Sequence, residues 1–275
     1  MNNPLPTPDT PQLTPEPAPQ LSADAVHKTE ESLPRVGRSF GWMTLFLLVF
    51  LLAVLFYVIG YSAVLGFEQA AQGVSEPNIA EIETRIQEHL LTPAGLVGIY
   101  LTQCLMLIPL VLVAAHFPQQ SWQATLSFNR FRARDLGFWS LIWLVYMGVQ
   151  YLLTQALNID PGDFMRSLSG SRHLPAALVL IICAPLLEEL IFRGYLFKAW
   201  RNTWLGLSGT LLLTSMLFTC LHLGQYGWTI LAMLFSFSII LGLAREKSGS
   251  LWVPIIIHSL NNLVAGVTVI YMGWL

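Results

Sequence analysis

Between Arg38 and Glu68 the chain carries no charged side chain, and most of what lies there is Leu, Val, Phe, Ile or Ala. In water such a run has nowhere to go. In a bilayer it is long enough to cross as one α-helix, because about 20 apolar residues span the hydrocarbon core. Similar stretches follow at residues 93–117, 136–157, from 174 onward, 204–221, 226–244 and 251–271. Backbone polar groups in lipid must be satisfied within each segment, so these runs predict helices. The expected fold is an all-α, polytopic transmembrane helical bundle of about seven spans. Composition agrees: 54% of the 275 residues are hydrophobic and only 11% are Asp, Glu, Lys or Arg, under half the share of a soluble domain.

The basic residues orient the bundle. With a cytoplasmic N-terminus the inner side collects 11 of the 14 Lys and Arg, and the outer side only Arg85, Arg166 and Arg172. That is the bias expected of cytoplasmic loops. A net charge of -2 with no basic face argues against a nucleic-acid partner. Cys104, Cys183 and Cys220 lie in apolar runs and are odd in number, which reads as core or lipid-facing residues rather than a disulfide framework.

Three regions follow. Residues 1–39 are rich in Pro and Thr with no apolar period, which predicts a disordered cytoplasmic tail. Residues 40–173 hold the N-terminal spans, with a surface amphipathic helix near 79–91. Residues 174–275 hold the polar intrusions.

The first intrusion is "CAPLLEELIFRGYLF". Its glutamates follow 14 uncharged residues, 174–187, roughly 21 Å of helix, and apolar residues resume beyond them, so Glu188 and Glu189 fall at membrane depth. Carboxylates there are costly and usually face a cavity or a partner. Glu189 and Arg193 are i and i+4 with the acid on the N-terminal side, the favoured order for a helical ion pair. Glu188 points about 100° away on the helix. The spacing therefore assigns Glu189 to Arg193 and leaves Glu188 for chemistry. Desolvation raises the pKa of a carboxyl group, which suits a base near neutral pH.

The second and third intrusions are histidines. "FTCLH" puts Phe218 and His222 one turn apart, and "HSLNN" does the same for His258 and Asn262. A lone membrane histidine is usually a satisfied core residue. Two of them, with an Asn in register and a carboxylate pair, favour a site. His116 has no such neighbour and reads as interfacial. Counted from the cytoplasmic helix ends, Glu188 lies about 20 Å deep, His222 about 27 Å and His258 about 12 Å, depths that must converge if one site is formed.

In this order, "EELIFR", "FTCLH" and "HSLNN" resemble the signatures of the CAAX protease and bacteriocin-processing family, CPBP or Abi, which includes the type II CAAX prenyl proteases. The likeness covers residues 174–262. It implies an intramembrane endopeptidase acting on a peptide or membrane-protein substrate in the bilayer. It also implies that Glu188 activates water with help from His222. His258 and Asn262 would hold the oxyanion or the water, and Glu189, Arg193 and Phe218 would support them. Peptide hydrolysis needs such a base and such donors whatever the family. No GxSxG nucleophile motif is present.

Two other classes stay open. A zinc peptidase would use Glu188, His222 and His258 as ligands, but the chain has no HExxH and such a set leaves no free base. The expectation is therefore catalysis without a cofactor, zinc being the alternative. A non-catalytic immunity factor, chaperone or transporter would keep the polar cluster without turnover. The lean sequence suggests a bacterial inner membrane.

Overall fold

A computed structural model describes residues 36–74, 76–116 and 120–274. The expected tail falls on residues outside these, except that 36–39 already belong to the first helix. The end of the second expected span, at Phe117, also lies outside them.

Among the described residues the fold is all helical. The long helices are α1 (Val36–Ala71), α3 (Pro93–Ala115), α5 (Ala133–Leu157), α7 (Leu174–Arg201), α9 (Trp228–Ser248) and α10 (Trp252–Tyr271). These six are long and apolar enough to cross a membrane. The remaining apolar stretch forms α8 (Gly206–Cys220), whose 15 residues rise only about 22 Å. Short helices α2 (Ile79–Leu90), α4 (Trp122–Leu126) and α6 (Asp163–Leu168) fill the connections.

Burial sorts the helices into centre and periphery. In the most apolar windows of α7 and α10, 44% of residues are buried, against 11% for α1 and α5. The outer face of α1 exposes Leu47, Leu51, Leu55, Phe56 and Ile59, a surface matched to lipid rather than water. Behind it, Leu107, Val111, Leu187, Tyr195, Trp200, Phe218 and Leu251 share one buried cluster. The Trp200 indole donates to Ser39 Oγ at 2.8 Å, which fastens the start of α1 to the end of α7. Helices α1 and α3 approach closely at Gly98, where any Cβ would overlap the Tyr57 ring.

The amphipathic segment forms α2. Asn78 caps it by accepting from the Glu81 N–H. Its far end is held to α1: His89 stacks on Tyr61 with ring centroids 3.9 Å apart and bonds the Tyr57 hydroxyl at 2.8 Å. Arg85 pairs with Glu68 at 3.0 Å.

The two ends of the bundle are identified by cross-links. At one end Arg201 pairs with Glu246 at 2.6 Å, and Asn129 donates to the Gly249 carbonyl at 3.0 Å. At the other end the Arg172 N–H donates to Ile270 O at 2.9 Å.

Candidate active site

Helix α7 is not a regular α-helix. A six-residue α segment, Ala184–Glu189, is flanked by π-helical turns at Val179–Cys183 and Leu190–Leu196. The first turn has a cause in the sequence. A helical proline clashes with the carbonyl four residues back and brings no N–H. Pro185 therefore forces a widening around Ile181. In the widened turn the Ala184 N–H passes over Leu180 and bonds Val179 O. The next donor in that register is residue 185, which has none, so Leu180 O is orphaned. Asn262 from α10 supplies the bond, its Nδ2 lying 2.8 Å from Leu180 O. In the second turn Arg245 of α9 donates from Nε to Arg193 O at 3.1 Å. Such turns commonly occur at functional sites.

Between them sit the two glutamates, in different surroundings. Glu189 is fully buried. Its Oε1 accepts from Arg193 Nη1 at 2.8 Å and from His258 Nδ1 at 3.0 Å. Arg193 is also fully buried. It donates from Nη2 to the Ser238 carbonyl at 2.9 Å and hydroxyl at 2.7 Å, and lies 4.9 Å from the centre of the Phe218 ring. Glu188 makes no hydrogen bond to protein and reaches a cavity, with Oε2 3.8 Å from His258 Nε2.

His222 lies in the turn just after α8. Its backbone N–H bonds Thr219 O rather than Phe218 O, and the ring takes the carbonyl left over, with Nδ1 2.9 Å from Phe218 O. Because a carbonyl only accepts, Nδ1 carries the proton and Nε2 is left as an acceptor. The Phe218 ring lies beneath both histidines, with centroids 5.0 Å from His222 and 5.9 Å from His258.

Glu188, His222, His258, Asn262 and Phe218 all line one cavity of about 470 Å³, a volume suited to a small ligand or a few residues of chain. The unequal depths counted along the helices converge here. Distance along each helix is not depth along a shared normal once helices tilt, and α8 ends before His222. Glu189 and Arg193 stand behind the wall. Among the described residues no three His, Cys, Asp or Glu side chains stand close enough to share a metal ion.

Several lining residues had no motif to announce them. Tyr226, one turn beyond His222, stacks on it at 6.1 Å, and burial together with the Glu188 charge raises its hydroxyl pKa, so it stays a donor. Tyr100 comes from α3. Asn261 accepts from the Trp143 indole at 3.2 Å, which ties α10 to α5. Cys220 is exposed and sits outside the lining.

The helical fold and its six candidate spans define an integral, multi-pass membrane protein. Residues 170–264, the segment bearing both glutamates, both histidines and Asn262, match the family described as type II CAAX prenyl endopeptidase Rce1-like, which supports a CPBP/CAAX-type family member. The chain is 36% identical over 124 residues to an uncharacterized 24.3 kDa protein of Escherichia coli, a stretch covering 42% of this chain and 55% of that one. It is 29% identical over 106 residues to the uncharacterized protein YpbD of Bacillus subtilis, covering 38% and 51%. The chain thus spans about half the length of the curated relatives it matches. No solved structure matches it.

Proposed function

We propose that this protein is an intramembrane endopeptidase in which Glu188 activates the attacking water. The observation that carries this reading is the contrast between neighbours. Glu189 has its charge neutralised by Arg193, whereas Glu188 has no hydrogen-bond partner and is the one carboxylate among the described lining residues of the cavity. A water held between Glu188 and Nε2 of His222 would give its proton to Glu188 and attack the scissile carbonyl. The oxyanion would be met by the second N–H of Asn262, the first being held by Leu180 O, and by the Tyr226 hydroxyl. Glu188 would then pass the proton to the leaving amine, which restores the carboxylate. His258, held by Glu189, fixes the space beside Glu188. The bacterial relatives and the basic asymmetry support a bacterial cytoplasmic membrane.

The zinc reading keeps one observation in its favour. Both histidines direct a proton-bearing Nδ1 to an oxygen and leave Nε2 toward Glu188 or the cavity, as metal-ligating histidines do. Against it stands the lack, among the described residues, of three His, Cys, Asp or Glu side chains close enough to share an ion. The test is purified protein in detergent, incubated with membrane-protein extracts and read by mass spectrometry of new termini. Glu188→Gln should lose those termini, and dialysis against a strong chelator should leave them. Loss on chelation, restored by stoichiometric zinc, would replace this mechanism with the metal one.

A further inference from the structure

The cavity extends well beyond the catalytic groups, along α5. Gln150, Thr154 and Asn158 line it in a row. Gln150 and Thr154 are i and i+4 on one face of α5, and Asn158, the left-handed residue that caps the helix, follows at its end. Gln150 uses one N–H on the Tyr146 hydroxyl, at 2.6 Å, and its carbonyl oxygen is free. The side chains of Thr154 and Asn158 make no hydrogen bond, although both stand on the wall of the cavity, one in the last turn of α5 and one at its cap. Four residues of helix rise about 6 Å, close to the roughly 6.7 Å that two residues of extended chain cover. Amides and a hydroxyl each offer both donor and acceptor, which is what the alternating N–H and C=O groups of a peptide backbone require.

Charge narrows the ligand. Among the described lining residues there is no Lys or Arg, and Glu188 adds a negative charge. A free chain-end carboxylate would be desolvated there with no cation to meet it. Exposure bears on the direction of entry. The Glu189–Arg193–Ser238 layer, neither charged side chain of which is exposed, stands behind one part of the wall, whereas the lining residue Asn158 is exposed. Beyond that layer lies the end of the bundle where Arg201 meets Glu246 and Asn129 meets Gly249, the end that also carries Arg130, Arg132, Arg134 and Lys247. Asn158 closes α5 at the opposite end, where Arg166 is neutralised by Asp160 at 2.6 Å and Asp163 at 3.0 Å. Cytoplasmic ends are the basic ones.

We propose that the cavity takes an extended, uncharged internal peptide segment from the extracytoplasmic side, its backbone hydrogen-bonded by Gln150, Thr154 and Asn158. This rests on the hydrolase reading and adds its substrate class and its side of entry.

The test avoids turnover. In a Glu188→Gln background with Cys104, Cys183 and Cys220 changed to Ala, Thr154→Cys or Asn158→Cys is introduced, and spheroplasts are treated with a membrane-impermeant maleimide. Asn158 is exposed at a helix end, so its variant keeps the test open if Thr154→Cys does not fold. Both should label without permeabilisation. A short peptide of Ala, Ser and Leu, acetylated and amidated, should slow labelling, and the same peptide with a free C-terminal carboxylate should need about tenfold more for equal protection. Gln150→Leu should weaken protection by the capped peptide. Labelling only after permeabilisation, equal protection by both peptides, or protection indifferent to Gln150→Leu would each overturn the proposal. Cleavage is assayed separately in protein that retains Glu188. Failure of cleavage with these labelling results intact would sink the hydrolase reading alone.

Discussion

Glu189 and Arg193 meet at 2.8 Å, one helical turn apart, with neither side chain exposed to any degree. Coulomb attraction stabilises this pair only because both ions are already desolvated. Removing one partner leaves the other buried and uncompensated, at a cost of about 3–5 kcal/mol. Glu189→Gln should therefore lower thermal stability in detergent sharply, as followed by a fluorescence melt. Removing both charges in Glu189→Gln/Arg193→Met should recover part of the loss. A stable Glu189→Gln single variant would mean that Arg193 does not depend on Glu189 for its compensation.

Glu188 differs because nothing in the protein depends on its charge for a hydrogen bond. Glu188→Gln should melt near wild type and lose turnover by roughly a hundredfold to ten-thousandfold, the range for a general base. His222→Phe should keep the ring stack on Tyr226 and lose the Nε2 acceptor. It should fall in kcat more than in KM. If Glu188→Gln keeps its activity while Glu189→Gln is stable and inactive, the two roles are exchanged.

The orientation is testable by itself. Single cysteines placed in the 130–134 segment, beside Asn129, which meets Gly249, should resist an impermeant thiol reagent in intact cells. Labelling there would invert the bundle and the side from which the cavity is reached.

Helix α2 carries a pH-sensitive fastening. Burial lowers the pKa of His89 below its ordinary value of 6.5, so the folded protein holds the ring neutral against Tyr57 and Tyr61. A depressed folded-state pKa gives stability that is full above the unfolded value and lost as pH falls through the folded one. Hydrogen-exchange protection of residues 79–90 should decline as pH drops below about 6.5. His89→Gln should flatten that decline. Protection unchanged with pH in the native protein would show that the stack does not hold α2.

Much of this was legible in the sequence, for physical reasons that differ from place to place. Uncharged runs in lipid leave only helices, so the fold class followed. The i,i+4 order of Glu189 and Arg193 gave their contact. The placement of His258 did not follow, because its bond to Glu189 joins residues far apart in sequence and no local period encodes it. Ser238 was invisible for the same reason: a serine in an apolar helix carries no sign that it will receive a buried guanidinium. The stretch at 204–221 gave a 15-residue helix because hydropathy does not register where a chain turns, and the turn that holds His222 shortens the helix from within.

Pro185 is the residue whose meaning was least visible and whose effect is most local. It withholds the N–H that Leu180 O would accept in the widened turn, and Asn262 fills that place at 2.8 Å. Asn262→Leu leaves a partly buried carbonyl without its protein partner, which should cost about 1 kcal/mol. Pro185→Ala returns a backbone donor to the turn and removes the clash that opens it. In the Pro185→Ala background, Asn262→Leu should then cost much less than in the native chain. A double-mutant cycle on melting free energies measures that coupling. Activity separates the two jobs assigned to Asn262: if its second N–H meets the oxyanion, Pro185→Ala/Asn262→Leu regains stability and still turns over slowly. Additive stabilities would show that Asn262 does not answer Pro185. Full activity in the double variant would remove Asn262 from the oxyanion site.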